Sequence, residues 1–165
     1  MARPLRIAFE GAFYHITTRG NERRRIFLSH QDYEKFLSYL KEGVQKYGII
    51  LHAFVLMANH YHLIVETPKA NLSSFMHRLN SAYTTYFNIK RKRSGHLFQG
   101  RYKALLIDVD NYLLELSGYV HLNTVRVGVT ERPENYRYSS YRAYVFPKEE
   151  ALNFRDLLWS MVSKE

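Results

Sequence analysis

Hydrophobic positions along this chain change period several times, and each change marks an element. Ala12 to Thr18 is short, aromatic and β-branched and stops at Gly20-Asn21, which predicts a strand closed by a turn. From Ser29 the spacing turns helical. Ser29 and Asp32 form a capping-box-like start, and Tyr33, Phe36, Leu37, Leu40, Val44 and Tyr47 follow at three- and four-residue steps as far as Gly48. Ile49 to Met57 is an apolar run of strand length, Ala58-Asn59 is a turn, and His60 to Thr67 alternates until Pro68, so the two segments predict a hairpin. Asn71 caps a second helix whose face is Leu72, Phe75, Met76, Leu79, Tyr83, Tyr86 and Phe87. Tyr102 to Val109 returns as a fourth strand, and two more helices are expected, from Asp110 to Leu122 and from Asn153 to Ser163.

The order strand, helix, strand, strand, helix, strand predicts an α+β fold of the ferredoxin-like, split βαβ plan, an antiparallel sheet with two helices on one face, followed by C-terminal helices. Strands one and three take the middle of such a sheet, so the His60-to-Thr67 strand is expected to be central. With 165 residues, 46% of them hydrophobic, and no repeat or low-complexity tract, one core is expected. That single domain covers the whole chain, with a core over about 11–125 and an extension after it.

Charge narrows the partner. A formal net charge of +9 attracts a polyanion, and phosphate neutralisation is the commonest use of such an excess. Arg19, Arg23, Arg24 and Arg25, then Lys90 to Arg93, His96, Arg101 and Lys103, interleave with Phe98 and Tyr102. Such mixtures suit single-stranded nucleic acid, with cations on phosphates and rings under unstacked bases. No apolar run has the length of a bilayer span and the first residues lack a signal-peptide pattern, so a cytoplasmic protein with no membrane partner is expected. The absence of cysteine removes disulfides and thiolate metal sites, leaving His, Asn, Gln or carboxylate to hold any metal.

His60-Tyr61-His62 is the most informative tripeptide. Residues two apart on a strand point to one face, so both imidazoles project together from Cα atoms about 7 Å apart, a span that two imidazoles can close on one ion. The same spacing is also compatible with two histidines on a polar sheet face. Glu66 shares that face and is read as a solvated carboxylate. On the helix after strand four, Tyr119 and Asn123 are four apart and present a phenol and an amide side by side. They suit a nucleophile and a hard oxygen ligand for Mg²⁺ or Mn²⁺, or else a packed tyrosine and a helix-end asparagine. Tyr112, near the same stripe, is the competing nucleophile.

Several segments together resemble the HUH single-tyrosine transposases, and more closely their branch called REP-associated tyrosine transposases. They are Tyr14 to Asn21, Met57 to Thr67, Gly95 to Lys103, Tyr119 to Asn123 leading to Val125-Arg126, and Ser139-Ser140-Tyr141. The resemblance implies a nuclease in which His60, His62 and Asn123 bind Mg²⁺ or Mn²⁺. It implies that Tyr119 attacks a phosphodiester to leave a 5′-phosphotyrosine and a free 3′-hydroxyl. Thr124 stands where that pattern has proline. The expected substrate is single-stranded or hairpin DNA formed by repetitive palindromes, with Arg19, Gly20, Asn21, Arg23, Arg24, Arg101 and Lys103 as candidate DNA contacts. The alternative is a non-catalytic hairpin DNA- or RNA-binding protein on the same fold, and the protein is expected to work as a monomer or homodimer.

Overall fold

The computed structural model describes residues 7–145. In chain order it contains β1 (Ala12–Arg19), a 3₁₀ turn (Asn21–Arg23), α1 (His30–Tyr47), β2 (Ile50–Met57), β3 (His60–Thr67), α2 (Leu72–Lys90), β4 (Lys103–Leu106), α3 (Val109–Arg126), a second 3₁₀ turn (Pro133–Asn135) and α4 (Tyr141–Val145). The strands form one antiparallel sheet in the order β2-β3-β1-β4, the α+β arrangement that the alternation of strands and helices predicts, with β3 and β1 in the middle.

Strand parity sorts the side chains. Tyr61, Leu63 and Val65 of β3, with Tyr14 and Ile16 of β1 and Phe54 and Leu56 of β2, face a core closed by Phe36, Leu40 and Val44 of α1 and Phe75, Met76, Leu79 and Tyr83 of α2. Fully burying each large side chain contributes roughly 1.5–3 kcal/mol, so this layer supplies most of the fold's driving force. The two helices pack closely at Gly43, where an added Cβ would lie 2.9 Å from a ring carbon of Phe75. On the opposite face a smaller cluster of Ala53, Val55, Met57 and Ile64 receives Val120 of α3, together with Ile107.

The ends of α1 follow from its sequence. The Ser29 hydroxyl accepts from the Asp32 backbone N–H, and Gly48 closes the helix in the left-handed region at φ 62°. Asp32 is fully buried, and its carboxylate receives the Leu28 N–H at 2.9 Å, the Tyr86 hydroxyl at 3.0 Å, Arg91 at 2.5 Å and Lys90 at 3.2 Å. Burial alone pushes this carboxyl up, but those hydrogen bonds outweigh it and hold it below the ordinary carboxylate value. The start of α1 is thereby pinned to the end of α2.

Several predicted boundaries move. The fourth strand is shorter than Tyr102 to Val109, because Asp108 accepts from the Asp110 N–H and opens α3 at Val109. The helix α3 runs past Leu122 to Arg126, since Val127 N–H still reaches the Asn123 carbonyl and the first left-handed residue is Gly128 at φ 74°. Asn71 stands at the start of α2 without capping it: its amide donates instead to the Tyr47 carbonyl at 2.8 Å, tying α2 to the end of α1. The helix expected from Asn153 to Ser163 lies outside the described residues.

Residues 136–141 explain how α3 is held. Leu56 N–H donates to Tyr138 O at 2.8 Å and Ser140 N–H to Phe54 O at 3.0 Å, so this segment covers the outer edge of β2. The Tyr138 ring stacks on Tyr33 of α1 at 3.7 Å, and Ser140 Oγ lies 2.6 Å from His121 Nε2 of α3. One short segment therefore joins α1, β2 and α3.

Asp32→Ala would leave Arg91 partly buried without its main acceptor, and removing one partner of a buried pair costs about 3–5 kcal/mol. Urea denaturation at pH 7 is expected to show a loss of about 3 kcal/mol or more for this variant. The carboxyl is held below its unfolded value, so the contribution is fully present above about pH 4 and is lost as pH falls through the folded value.

Candidate active site

The face of the sheet under α3 carries the polar residues that strand parity leaves over. Cross-strand pairing puts Arg19 beside His60, Thr17 beside His62 and His15 beside Ile64 on one flank of β1, and Lys103 beside Thr17 and Leu105 beside His15 on the other. His60 and His62 therefore project together as the spacing predicts, with ring centroids 5.1 Å apart. The Tyr119 ring stands edge-on to both His62 and His15, each at 6.4 Å between centroids. Tyr119 is 43% exposed, whereas Asn123, one turn later on the same stripe of α3, is buried.

Each histidine of the pair has a partner on its Nδ1 edge. His60 Nδ1 lies 2.7 Å from Asn59 Oδ1, an atom that only accepts, so the ring hydrogen sits on Nδ1 and the Nε2 lone pair is left free. Asn59 is itself fixed by its Nδ2 donating to Arg23 O at 3.3 Å. His62 Nδ1 faces His15 Nε2 at 3.0 Å and Thr17 Oγ1 at 3.2 Å, either of which can accept its hydrogen. A partner on one ring nitrogen selects the tautomer and aims the other nitrogen, the usual arrangement behind a metal-ligating imidazole.

The electrostatics favour neutral rings. Burial pushes His62 down to about 3, with the charges of His60, His15 and Arg19 acting the same way. Burial and then Arg19 lower His60, and burial lowers His15. Two neutral imidazole nitrogens, with the Asn123 amide on the helix above, are of the chemical types that suit a divalent cation with open positions for water or phosphate oxygen. Among the described residues no group of three or more His, Asp or Glu is arranged to hold a metal.

The other predicted residues divide. Arg19 and Lys103 lie on the site face. Gly20 is a packing requirement: a Cβ there would meet Arg24 O at 2.1 Å, and its N–H donates to Asn59 O at 2.8 Å. Asn21, Arg23 and Arg24 form the adjoining turn, with Glu22 and Arg23 held at positive φ and Arg24 paired to Glu22 at 2.9 Å. Asn21 and Arg24 also line a basic cleft with Arg25, Arg91, Arg93 and His96. Arg101 is not brought to the site face; it lines a separate hollow beside His77 and Asn80 of α2. Glu66 shares the face of His60 but pairs with His52 at 3.1 Å, in place of the solvated carboxylate expected. Tyr112 is exposed on α3 and lines a cavity that also reaches Tyr119.

Three residues escaped prediction as site members. His15 and Asn59 hold the two histidines, and Arg126 lays its guanidinium 4.2 Å from the centre of the Tyr119 ring. The signal for Arg126 was its seven-residue offset from Tyr119, two turns along one helix stripe. The proline replaced by Thr124 is not needed to end the helix, which continues two residues further.

The antiparallel sheet in the order β2-β3-β1-β4, with α1 and α2 on one face, defines a ferredoxin-like α+β protein. Within that class, the family described as "Transposase IS200 like" matches residues 8–123, and the chain belongs to that family. A Haemophilus influenzae protein named as a REP-associated tyrosine transposase is 25% identical over 157 residues, covering 85% of this chain and 88% of the relative. In fold, the chain is similar to a solved REP-associated tyrosine transposase bound to a REP hairpin, with a TM-score of 0.75 at 17% identity over 89% of this chain and 87% of that one. Among the described residues no helix is long and apolar enough to cross a membrane.

Because the folded state holds His62 near 3 and His121, buried against Ser140, near 4, both imidazoles are expected to stay neutral at pH 5 in histidine-edited NMR spectra of the metal-free protein. The unfolded chain takes up protons at these positions first, so urea midpoints should fall as pH drops below about 6.5. A midpoint that rises on acidification would contradict this assignment.

Proposed function

We propose that this protein cleaves and rejoins single-stranded DNA, with Tyr119 as nucleophile and His60, His62 and Asn123 as ligands of Mg²⁺ or Mn²⁺, acting on hairpins of palindromic DNA. The observation that carries the reading is the placement of the Tyr119 ring edge-on to His62, on the same sheet face as His60 and within one helical turn of Asn123. Membership of a transposase family supports the class of reaction, and the REP hairpin held by a structurally similar relative supports the substrate.

A divalent cation held by His60, His62 and Asn123 would supply charge neutralisation and Lewis-acid polarisation of a phosphate oxygen. The chain's own residues do the rest. Asn59 and His15 keep the Nε2 edges of His60 and His62 directed away from the strand, and the neutral rings retain their lone pairs at pH 7. Arg19, beside His60, and Lys103, one strand over, place positive charge where a phosphate backbone would run. Arg126 stacks against the face of Tyr119 and adds a cation beside the nucleophile's ring. The Tyr119 oxygen forms a bond to phosphorus as the bond to the 3′-oxygen breaks; the phenolic proton passes to solvent, and the leaving oxygen takes a proton to become the 3′-hydroxyl. Attack of a 3′-hydroxyl on the phosphotyrosine reverses the sequence, so joining needs no ATP.

Incubating the protein with 3′-end-labelled single-stranded hairpins and Mn²⁺ or Mg²⁺ is expected to give label joined to protein on denaturing gels. The adduct should be absent with EDTA and in Tyr119→Phe, while hairpin affinity in Tyr119→Phe stays within about threefold. An adduct that persists in Tyr119→Phe transfers the role to Tyr112. Tight hairpin binding with no adduct under any condition leaves a binding protein without nuclease chemistry.

A further inference from the structure

On the β4 side of His15 the site face opens into a cavity of about 340 Å³ walled by His15, Leu105, Leu116, Tyr112 and Tyr119 and by the carboxylates Asp108 and Glu115. It shares His15 and Tyr119 with the candidate active site, so the two adjoin. Its surface is unusual for this protein. Although the chain carries a net charge of +9, no lysine or arginine among the described residues lines this cavity. A phosphate is therefore disfavoured here by the carboxylates.

The walls favour a flat, largely apolar ligand. Leu105 is 66% exposed and Tyr112 59% exposed, an aliphatic and an aromatic surface left open beside the nucleophile. The two acids differ in availability. Asp108 is engaged by the Asp110 N–H at 3.2 Å and by Asn111 Nδ2 at 2.7 Å at the start of α3, whereas Glu115 forms no ion pair among the described residues. A free carboxylate accepts hydrogen bonds from an amine and repels a carbonyl-rich edge.

We propose that this cavity receives the nucleobase next to the scissile phosphate, stacked on Tyr112, with its exocyclic amine donating to Glu115. The pocket therefore prefers cytosine, adenine or guanine over thymine at that position. This rests on the reading that single-stranded DNA reaches Tyr119, and it adds a specificity contact made by protein side chains at the cut itself.

The test separates the two ideas. Hairpins carrying 2-aminopurine at each single-stranded position in turn are bound to Tyr119→Phe protein in EDTA, where no cleavage occurs. One position is expected to be quenched several-fold, and the quench should disappear when Tyr112→Ala is added, with hairpin affinity falling roughly tenfold. Thymine at that position should bind about fivefold more weakly than cytosine, and the difference should vanish in Glu115→Gln. Tyr112 is exposed, and an unchanged urea midpoint checks that its variant folds. Quenching that is the same in Tyr112→Ala, or equal binding of thymine and cytosine, overturns the proposal even if the tyrosine adduct forms. Tyr112-dependent quenching in a protein that forms no adduct keeps the pocket and removes the nuclease chemistry.

Discussion

Alternation along the two central strands is the constraint on which this molecule depends. Successive side chains of a strand go to opposite faces, so β3 sends Tyr61, Leu63 and Val65 under the helices while it sends His60, His62 and Ile64 to the other side. A slip of one residue would bury the imidazoles in the aromatic core and expose Tyr61. The large apolar layer beneath α1 and α2 therefore holds the chemical face in register, and the histidines inherit their precision from tyrosine, leucine and valine on the far side.

The second face is only partly covered, and that asymmetry creates the site. Val120 docks on the cluster around Val55 and Ile64, while Tyr119, its neighbour in sequence, is turned out over the histidines. Segment 136–141 keeps α3 in place by covering the edge of β2 and reaching His121 through Ser140. A helix held at one side sets the phenol edge-on over the imidazoles, with a cavity opening beside it toward β4. Two histidines held neutral by burial and aimed through Asn59 and His15 make the polar floor beneath Tyr119.

Much of this was legible in sequence wherever the determining contacts are local. The limits of β3, the capping of α1 by Ser29 and its end at Gly48, and the shared face of His60 and His62 follow from spacing of a few residues. The extent of α3 was not legible, since its last turns are fixed by Gly128 and by contacts to a segment beyond it. The partnership of His15 with His62 was hidden for a similar reason: the residues are 47 apart, and only the register of β1 on β3 brings them together. Arg101 lies away from the site face for a related reason. Its basic neighbours in sequence suggested a common surface, but the chain turns between Phe98 and Lys103 and leaves it beside α2.

In the proposed reaction His60 and His62 together present Nε2 atoms to one cation. Electron spin echo measurements on Mn²⁺ bound to protein labelled with ¹⁵N at histidine test it directly. Two directly coordinated imidazole nitrogens are expected in the unaltered protein and one in His60→Ala. Bound Mn²⁺ with no coordinated histidine nitrogen, or a signal unchanged in His60→Ala, would contradict it.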